Sequence, residues 1–537
     1  MKNFIKYGVL IFIILLVPFL VCCIYSSNSV TNDSGIPRLY MYGDLSNMNT
    51  KSDIRYLDVK YVSDKYNFDG YITAKIQGAS STQFAKKNFN INFYTDDSYS
   101  SKKKVNVGFG NFNKYTLKAD WPDGTKSRNI VTASIYSEIQ KEYGLFTDTV
   151  NNGVVDGFTI ELYLNDEFYG IYNLTTSKDY IYGLDENNKN HMAIMAKEYD
   201  AKTNFTQLAT EKWKSFEVEV GEQNDYSLAK LNRLIRFIKN STDEEFKENF
   251  EDYINLDSAL NYYCYAKFAE LYDNLNKNMM LVTYDGDYWY LTLYDLDISW
   301  GSTWDGSYLL DYTDMLDMYI DSSMLWSKFE RAFPNQIVKR YEELRENYLT
   351  EEYVLESFYN YYDMIPSSSF EKEDEKWGPL VGYGMDQVEE FLDVRIPLVD
   401  KNIYAMKTDE YDNLFGDKVE VPDVPGDTNT QDNVNQNQSS NNESDIVESK
   451  PPVVDNPSVE ENESEENVED NTNVEVPSED EEITTDKENN EDVVTEEKEI
   501  VENLKSTNYV LIVSLVIFVI IVSVVLITLI ILKIKNK

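Results

Sequence analysis

The sequence predicts an α+β fold with a β-rich first lobe and a mainly helical second lobe. Three observations lead to it. From Ile54 to Tyr94, runs such as GYITAKIQG and NFNINFY alternate apolar and polar residues between Asp/Gly and Ser/Thr punctuation, the pattern of antiparallel strands. Beyond about Ser227 apolar residues recur at helical intervals instead. The globular region, 36–414, is longer than one hydrophobic core usually serves, so two lobes are expected.

Local chemistry justifies the elements in turn. SRNIVTASIYSEIQKEYG spaces Ile130, Ser134, Ile135 and Ile139 as a helix and stops at Gly144, where a left-handed cap is common. GFTIELYLNDEFYGIYNL carries two alternating runs around the turn-forming pair Asn165-Asp166, which predicts a hairpin. NLDSALNYYCYAKFAELYDN predicts a helix capped by Asp257-Ser258, with Leu260, Tyr263, Cys264, Phe268 and Leu271 on one face. After it, MMLVTYD and YWYLTLYDLD read as two strands joined through Asp285-Gly286-Asp287.

The chain ends point to export and anchoring. Residues 1–28 place Lys2 and Lys6 ahead of an apolar run from Val9 to Ile24, the layout of a signal peptide or an N-terminal membrane anchor. Val21 before Cys22 and Cys23 departs from the small residue expected before a lipid-attached cysteine. Val510 to Leu532 supplies 23 uncharged residues, enough to span a bilayer core of about 30 Å. A transmembrane helix over 508–533 is therefore expected, and the lysines of the tip at 534–537 place that end in the cytoplasm. The preceding domain is then extracytoplasmic, on a cell membrane crossed once. Between them, 415–507 reads as a disordered acidic stalk: residues 421–500 hold 26 Asp or Glu against three Lys.

The stalk carries about half of the net charge of −45. The remaining acidic excess argues against nucleic acid as a partner. Cys264 is the one cysteine between the terminal segments, so no internal disulfide is available there. His191 is the single histidine, which excludes multi-histidine metal sites and leaves a structural role for it.

One constellation carries chemistry. In ELYDNLNKNMMLVTYDGDYWYLTLYDLDISWG, Asp273 stands five residues before Asn278, and Asp295 and Asp297 follow at the end of the second strand. Two residues apart at a strand end, Asp295 and Asp297 are expected on one side, as oxygen donors for Mg²⁺ or Mn²⁺. The alternative is a solvated strand end. Pairing of the two strands would bring Asp273 and Asn278 to the triplet. Protein kinases use the same arrangement: an Asp at the acceptor hydroxyl, an Asn and a later Asp on metal.

With those residues in place, the sequence resembles the CotH kinase family, the spore coat protein H group of atypical protein kinases. IQGASSTQFAKKNFNINFY, YTLKADWPDGTKSRNIVTASI, IELYLNDEFYGIYNLT, the helix leading to Asp273 and YLTLYDLDISWG are similar to that family's blocks in the same order. The resemblance implies a bilobal atypical protein-kinase-like fold and transfer of the ATP γ-phosphate to Ser/Thr of secreted, envelope or spore-coat proteins. It implies Asp273 as the catalytic residue and Asn278 with Asp295 or Asp297 on Mg²⁺ or Mn²⁺. It also implies Lys86 or Lys87 on the nucleotide phosphates, with Gly78, Ser80 and Ser81 as the turn beside them. Strand parity with Phe89, Ile91 and Phe93 assigns Lys87 to the cleft side and Lys86 away from it. Arg128, in the block with Asp120 and Asn129, is left between phosphate binding, an ion pair and packing at a helix N-terminus. Thr175 and Thr176 stand where many members of that family have a Glu, which puts nucleotide preference in doubt. Trp300 and Trp304 flank the site as candidate walls of an acceptor groove. The competing function is a catalytically inactive kinase-like surface adhesin.

Overall fold

The computed structural model describes residues 35–78, 80–307, 316–379 and 382–416. The terminal segment 1–28, the membrane span and the basic tip lie outside these residues, as does the stalk beyond Gly416. Among the described residues no helix is long and apolar enough to cross a membrane.

The first part is a closed barrel. Its strands are β1 (Arg38–Tyr42), β2 (Ile54–Val62), β3 (Asn67–Gln77), β4 (Asn88–Tyr94), β7 (Lys114–Lys118), β8 (Gly157–Leu164) and β9 (Glu167–Thr176), with the short pair β5 (Val105–Asn106) and β6 (Asn111–Phe112) in the β4–β7 connection. The order is β1-β2-β3-β4-β7-β9-β8. Alternation turns Leu57, Val59, Ile72, Ala74, Phe89, Ile91, Leu117, Ile160 and Leu174 into the interior. Closure comes from β1 lying parallel to β8, Arg38 opposite Glu161. The Asn165-Asp166 hairpin forms as expected, both residues left-handed at φ 52° and 67°, which matches the twist of the strands they join.

The helix α1 (Arg128–Glu142) leaves the barrel, and Gly144 at φ 66° ends it. The remainder is mainly helical but encloses a four-stranded sheet, β11-β10-β12-β13, from β10 (Met192–Ala196), β11 (Phe216–Val220), β12 (Met279–Thr283) and β13 (Trp289–Leu293). Its helices are α2 (Asp225–Asn240), α3 (Asp243–Asn249), α4 (Leu256–Ala269), α5 (Leu316–Ser322), α6 (Met324–Ala332), α7 (Pro334–Asn347), α8 (Glu351–Tyr362), α9 (Ser367–Trp377), α10 (Met385–Tyr404) and α11 (Tyr411–Phe415). The last helix carries the folded part to Phe415, one residue into the segment assigned to the stalk.

Two expectations for α4 are corrected. Its cap is Asn255, whose Oδ1 accepts from the Ser258 N–H at 2.8 Å, while Asp257 pairs with Arg340 at 2.5 Å. Nor does it present one apolar face, since twelve residues from Ser258 to Ala269 are all buried. It is the central helix of the second core, and its tyrosines find partners: Tyr262 donates to Asn274 O and Tyr265 to Thr132 O, at 2.5 and 2.8 Å. His191 Nδ1 accepts from the Asp185 N–H at 2.9 Å.

Candidate active site

The end of α4 builds one half of the site. Glu270 turns left-handed at φ 55°, and a 3₁₀ turn over Tyr272–Leu275 then buries Asp273. Asn278, also left-handed, donates its N–H to Ala196 O of β10 at 2.7 Å. Its side-chain Nδ2 donates to Asp273 Oδ2 at 2.6 Å. Its Oδ1 makes no hydrogen bond among the described residues. Lys277 lies 3.7 Å from the other Asp273 oxygen.

Strand pairing brings in the other half. β12 and β13 are antiparallel with Met279 opposite Leu293, so Asn278 and the residues after Leu293 emerge at one end. Asn274 Nδ2 ties them by donating to Tyr294 O at 2.7 Å. The triplet departs from simple strand parity, because β13 ends at Leu293 and Asp295 is left-handed at φ 60°. Leu296 is buried and its N–H donates to Asn129 Oδ1 at 3.2 Å, an anchor that accounts for the Asn of the Arg-Asn pair. Asp295 and Asp297 stay half-buried above it.

The electrostatics show four carboxylates, Asp120, Asp273, Asp295 and Asp297, acting on a common space. Burial, then Asp295, with Asp120 and Asp273 adding, pushes the Asp297 carboxyl up to about 8. Burial likewise raises Asp273, to about 6, against the pull of Lys277. Asp295 goes the other way: burial opposes ionisation, but Lys118 outweighs it with a 2.6 Å hydrogen bond. Burial and Asp123 raise Asp120, which accepts from Asn173 Nδ2 at 2.6 Å.

The residues assigned to phosphate binding are placed differently. Gly78, at φ 109°, makes the turn into the 3₁₀ segment Ser80–Gln83. A Cβ there would stand 1.8 Å from Ser81 Oγ, so the tight turn requires glycine. Lys87 turns to its own segment: its Nζ donates to Thr82 O at 2.6 Å and to Phe84 O, bracing that turn. Lys86 is the buried one. Its Nζ donates to Glu373 Oε1 at 2.5 Å, to Ile171 O and to Ala119 O, over the ring of Tyr172. The parity argument fails because both lysines precede β4, which starts at Asn88.

Gly170 explains how that pair fits. A Cβ at Gly170 would lie 2.7 Å from Lys86 Cε and 3.0 Å from Glu373 Oε2. Gly170→Ala is expected to push the pair apart and cost about 1–3 kcal/mol, read as a lower urea midpoint.

Arg128 is an ion-pair residue. Its Nη1 donates to Asp123 Oδ1, its own N–H to Asp123 Oδ2 at 2.9 Å, and its Nη2 to Gln387 Oε1. Trp300 is buried and donates Nε1 to Thr132 Oγ1 at 2.7 Å, so it walls no groove. Trp304 is exposed and stacks on Phe84 of the Gly78 turn at 6.5 Å between centroids. Thr175 and Thr176 are buried in β9.

A family model described as CotH kinase protein matches residues 74–395. The chain belongs to the CotH kinase family. Among curated proteins no match is found. The family span runs from within β3 to within α10 and includes both halves of the site, which makes kinase-like chemistry the family's implication for this domain.

Within this CotH kinase domain, two site residues were missed in the sequence. Lys118, the last residue of β7, reaches the triplet. Glu373, on α9, binds both Lys86 Nζ and the Ile171 N–H, the latter at 2.8 Å. Lys118 had a legible signal, a lysine two residues before Asp120 inside a family block. Glu373 had none, because its partner is 287 residues away.

Among the described residues no three His, Cys, Asp or Glu side chains form a ready-made metal cluster. The free oxygens are instead of mixed kind: Asn278 Oδ1, Asp295 Oδ2 and the Asp297 carboxylate make no hydrogen bond among the described residues. Hard oxygen donors beside crowded negative charge suit a divalent cation.

Proposed function

We propose that this protein is a metal-dependent protein kinase that transfers the ATP γ-phosphate to Ser or Thr hydroxyls. The observation carrying the proposal is the convergence of Asp273 and Asn278 with Asp295 and Asp297 at one end of the β12–β13 pair. The α+β fold is compatible with it, a β-barrel first part followed by a mainly helical second part.

The residues divide the work. Asn278 and one or both of Asp295 and Asp297 would hold Mg²⁺ or Mn²⁺, which would offset the phosphate charge. Asp273, fixed by Asn278, would orient the acceptor hydroxyl. As the hydroxyl oxygen bonds to the γ-phosphorus and the bond to the bridging oxygen of ADP breaks, the hydroxyl proton passes to Asp273. Its raised proton affinity suits that task better than an ordinary aspartate. Lys86 supports the barrel side through Glu373.

The terminal segments read from the sequence extend the proposal to an extracytoplasmic enzyme held by a C-terminal membrane span, acting on secreted, envelope or spore-coat proteins. The test is incubation of the full chain with labelled ATP, Mn²⁺ and a mixed Ser/Thr peptide library. Label on Ser or Thr that vanishes with a chelator and returns with Mg²⁺ or Mn²⁺ is expected; label unaffected by chelation would sink metal dependence, and no label would sink the kinase reading.

A further inference from the structure

The acidic cluster holds a cation that the phosphotransfer reading leaves idle. Lys118 closes β7, and its side chain is 7% exposed beside the triplet. An ammonium has three N–H donors and no acceptor. Among the described residues Lys118 uses one donor, on Asp295 Oδ1 at 2.6 Å, while the Tyr294 ring lies 5.7 Å away. Lys86 is the contrast, with three oxygen acceptors for three donors. Lys87 is committed to two carbonyls of its own turn. Of these three barrel lysines, Lys118 alone combines spare donors with a place beside the acidic cluster.

Resting on the phosphotransfer reading, we propose that Lys118 is the resident counter-cation of the triplet: it holds Asp295 while no metal is bound, then gives that carboxylate up and binds nucleotide phosphate. A buried ammonium needs an anion to offset its desolvation. A divalent cation entering the triplet competes for Asp295 and repels Lys118. Displaced, the ammonium still needs an anion, and phosphate oxygens accept from its spare donors. Lys118 therefore opposes metal binding to the empty site and favours nucleotide binding to the metal-loaded one.

Those effects have opposite signs, which a merely structural lysine would not produce. The test uses the full chain, with Mn²⁺ binding followed by electron paramagnetic resonance without nucleotide, and binding of a non-hydrolysable ATP analogue followed by calorimetry at saturating Mn²⁺. Lys118→Met is expected to tighten Mn²⁺ about tenfold and weaken the analogue about tenfold, the size of one charge-assisted hydrogen bond. Lys118→Arg, which keeps the charge, is expected to bind Mn²⁺ as the wild type does. Lys118→Gln is the second neutral variant should the methionine protein melt early. Unchanged or weaker Mn²⁺ binding in a folded neutral variant would overturn the proposal. A wild-type chain binding neither Mn²⁺ nor the analogue would overturn the phosphotransfer reading itself.

Discussion

Asp273→Asn is expected to lower the rate of phosphate transfer about 10²–10⁴-fold, the range for loss of a positioned general base. The substitution keeps size and shape in a buried turn, and the Asn278 amide at 2.6 Å retains an oxygen to donate to. Folding and nucleotide binding should therefore survive, so the loss belongs in kcat and not in KM. Initial rates with Mn²⁺ and ATP, alongside a thermal melt, check both halves. A large rise in KM would instead place Asp273 in ground-state binding. Because Asn278 uses its Nδ2 on Asp273, Asn278→Ala should also reduce transfer, by loosening Asp273 and removing Oδ1 from the metal side.

Arg128→Met is expected to cost about 3–5 kcal/mol of stability, since it leaves Asp123 buried without its partner. Arg128 and Asp123 are each about 1% exposed. Burial alone would raise the Asp123 carboxyl, but Arg128 and the Thr125 hydroxyl outweigh that and hold it below the ordinary value. A depressed carboxylate adds stability that is present above its unfolded pKa and lost as pH falls through the folded one. Acid melting should thus steepen below about pH 4 in the wild type, and this part of the slope should be missing in Arg128→Met/Asp123→Asn. That double variant should recover much of the single variant's loss. If it folds but no longer binds nucleotide, Arg128 is a phosphate ligand after all.

What was legible in the sequence was local. Asn165-Asp166 demands left-handed backbone and marks its hairpin, Gly144 marks a helix end, and Asp285-Gly286-Asp287 marks the turn that folds Asn278 back to Asp295. Half of the site is local in this sense, because Asp273 through Asp297 is one continuous stretch brought together by one strand pair. The barrel was legible only as strands. Its closure depends on β1 lying parallel to β8, and parallel pairing of distant strands leaves no turn signal. The lysines failed for a related reason: parity counts only inside a strand, and Lys86 and Lys87 precede one. Glu373 and Lys118 are recognisable by the charges they meet, and those partners lie 287 and 177 residues away. Apolar residues near a site look alike in sequence, and only packing places Trp300 in the core against Phe268 and Phe391.

The most direct measurement is anomalous diffraction from crystals grown with Mn²⁺ and a non-hydrolysable ATP analogue. A Mn²⁺ peak at ligand distance from Asn278 and from Asp295 or Asp297, with the terminal phosphate facing Asp273, is the predicted result. Manganese and nucleotide bound away from the β12–β13 end, with Asp295 still on Lys118, would contradict it.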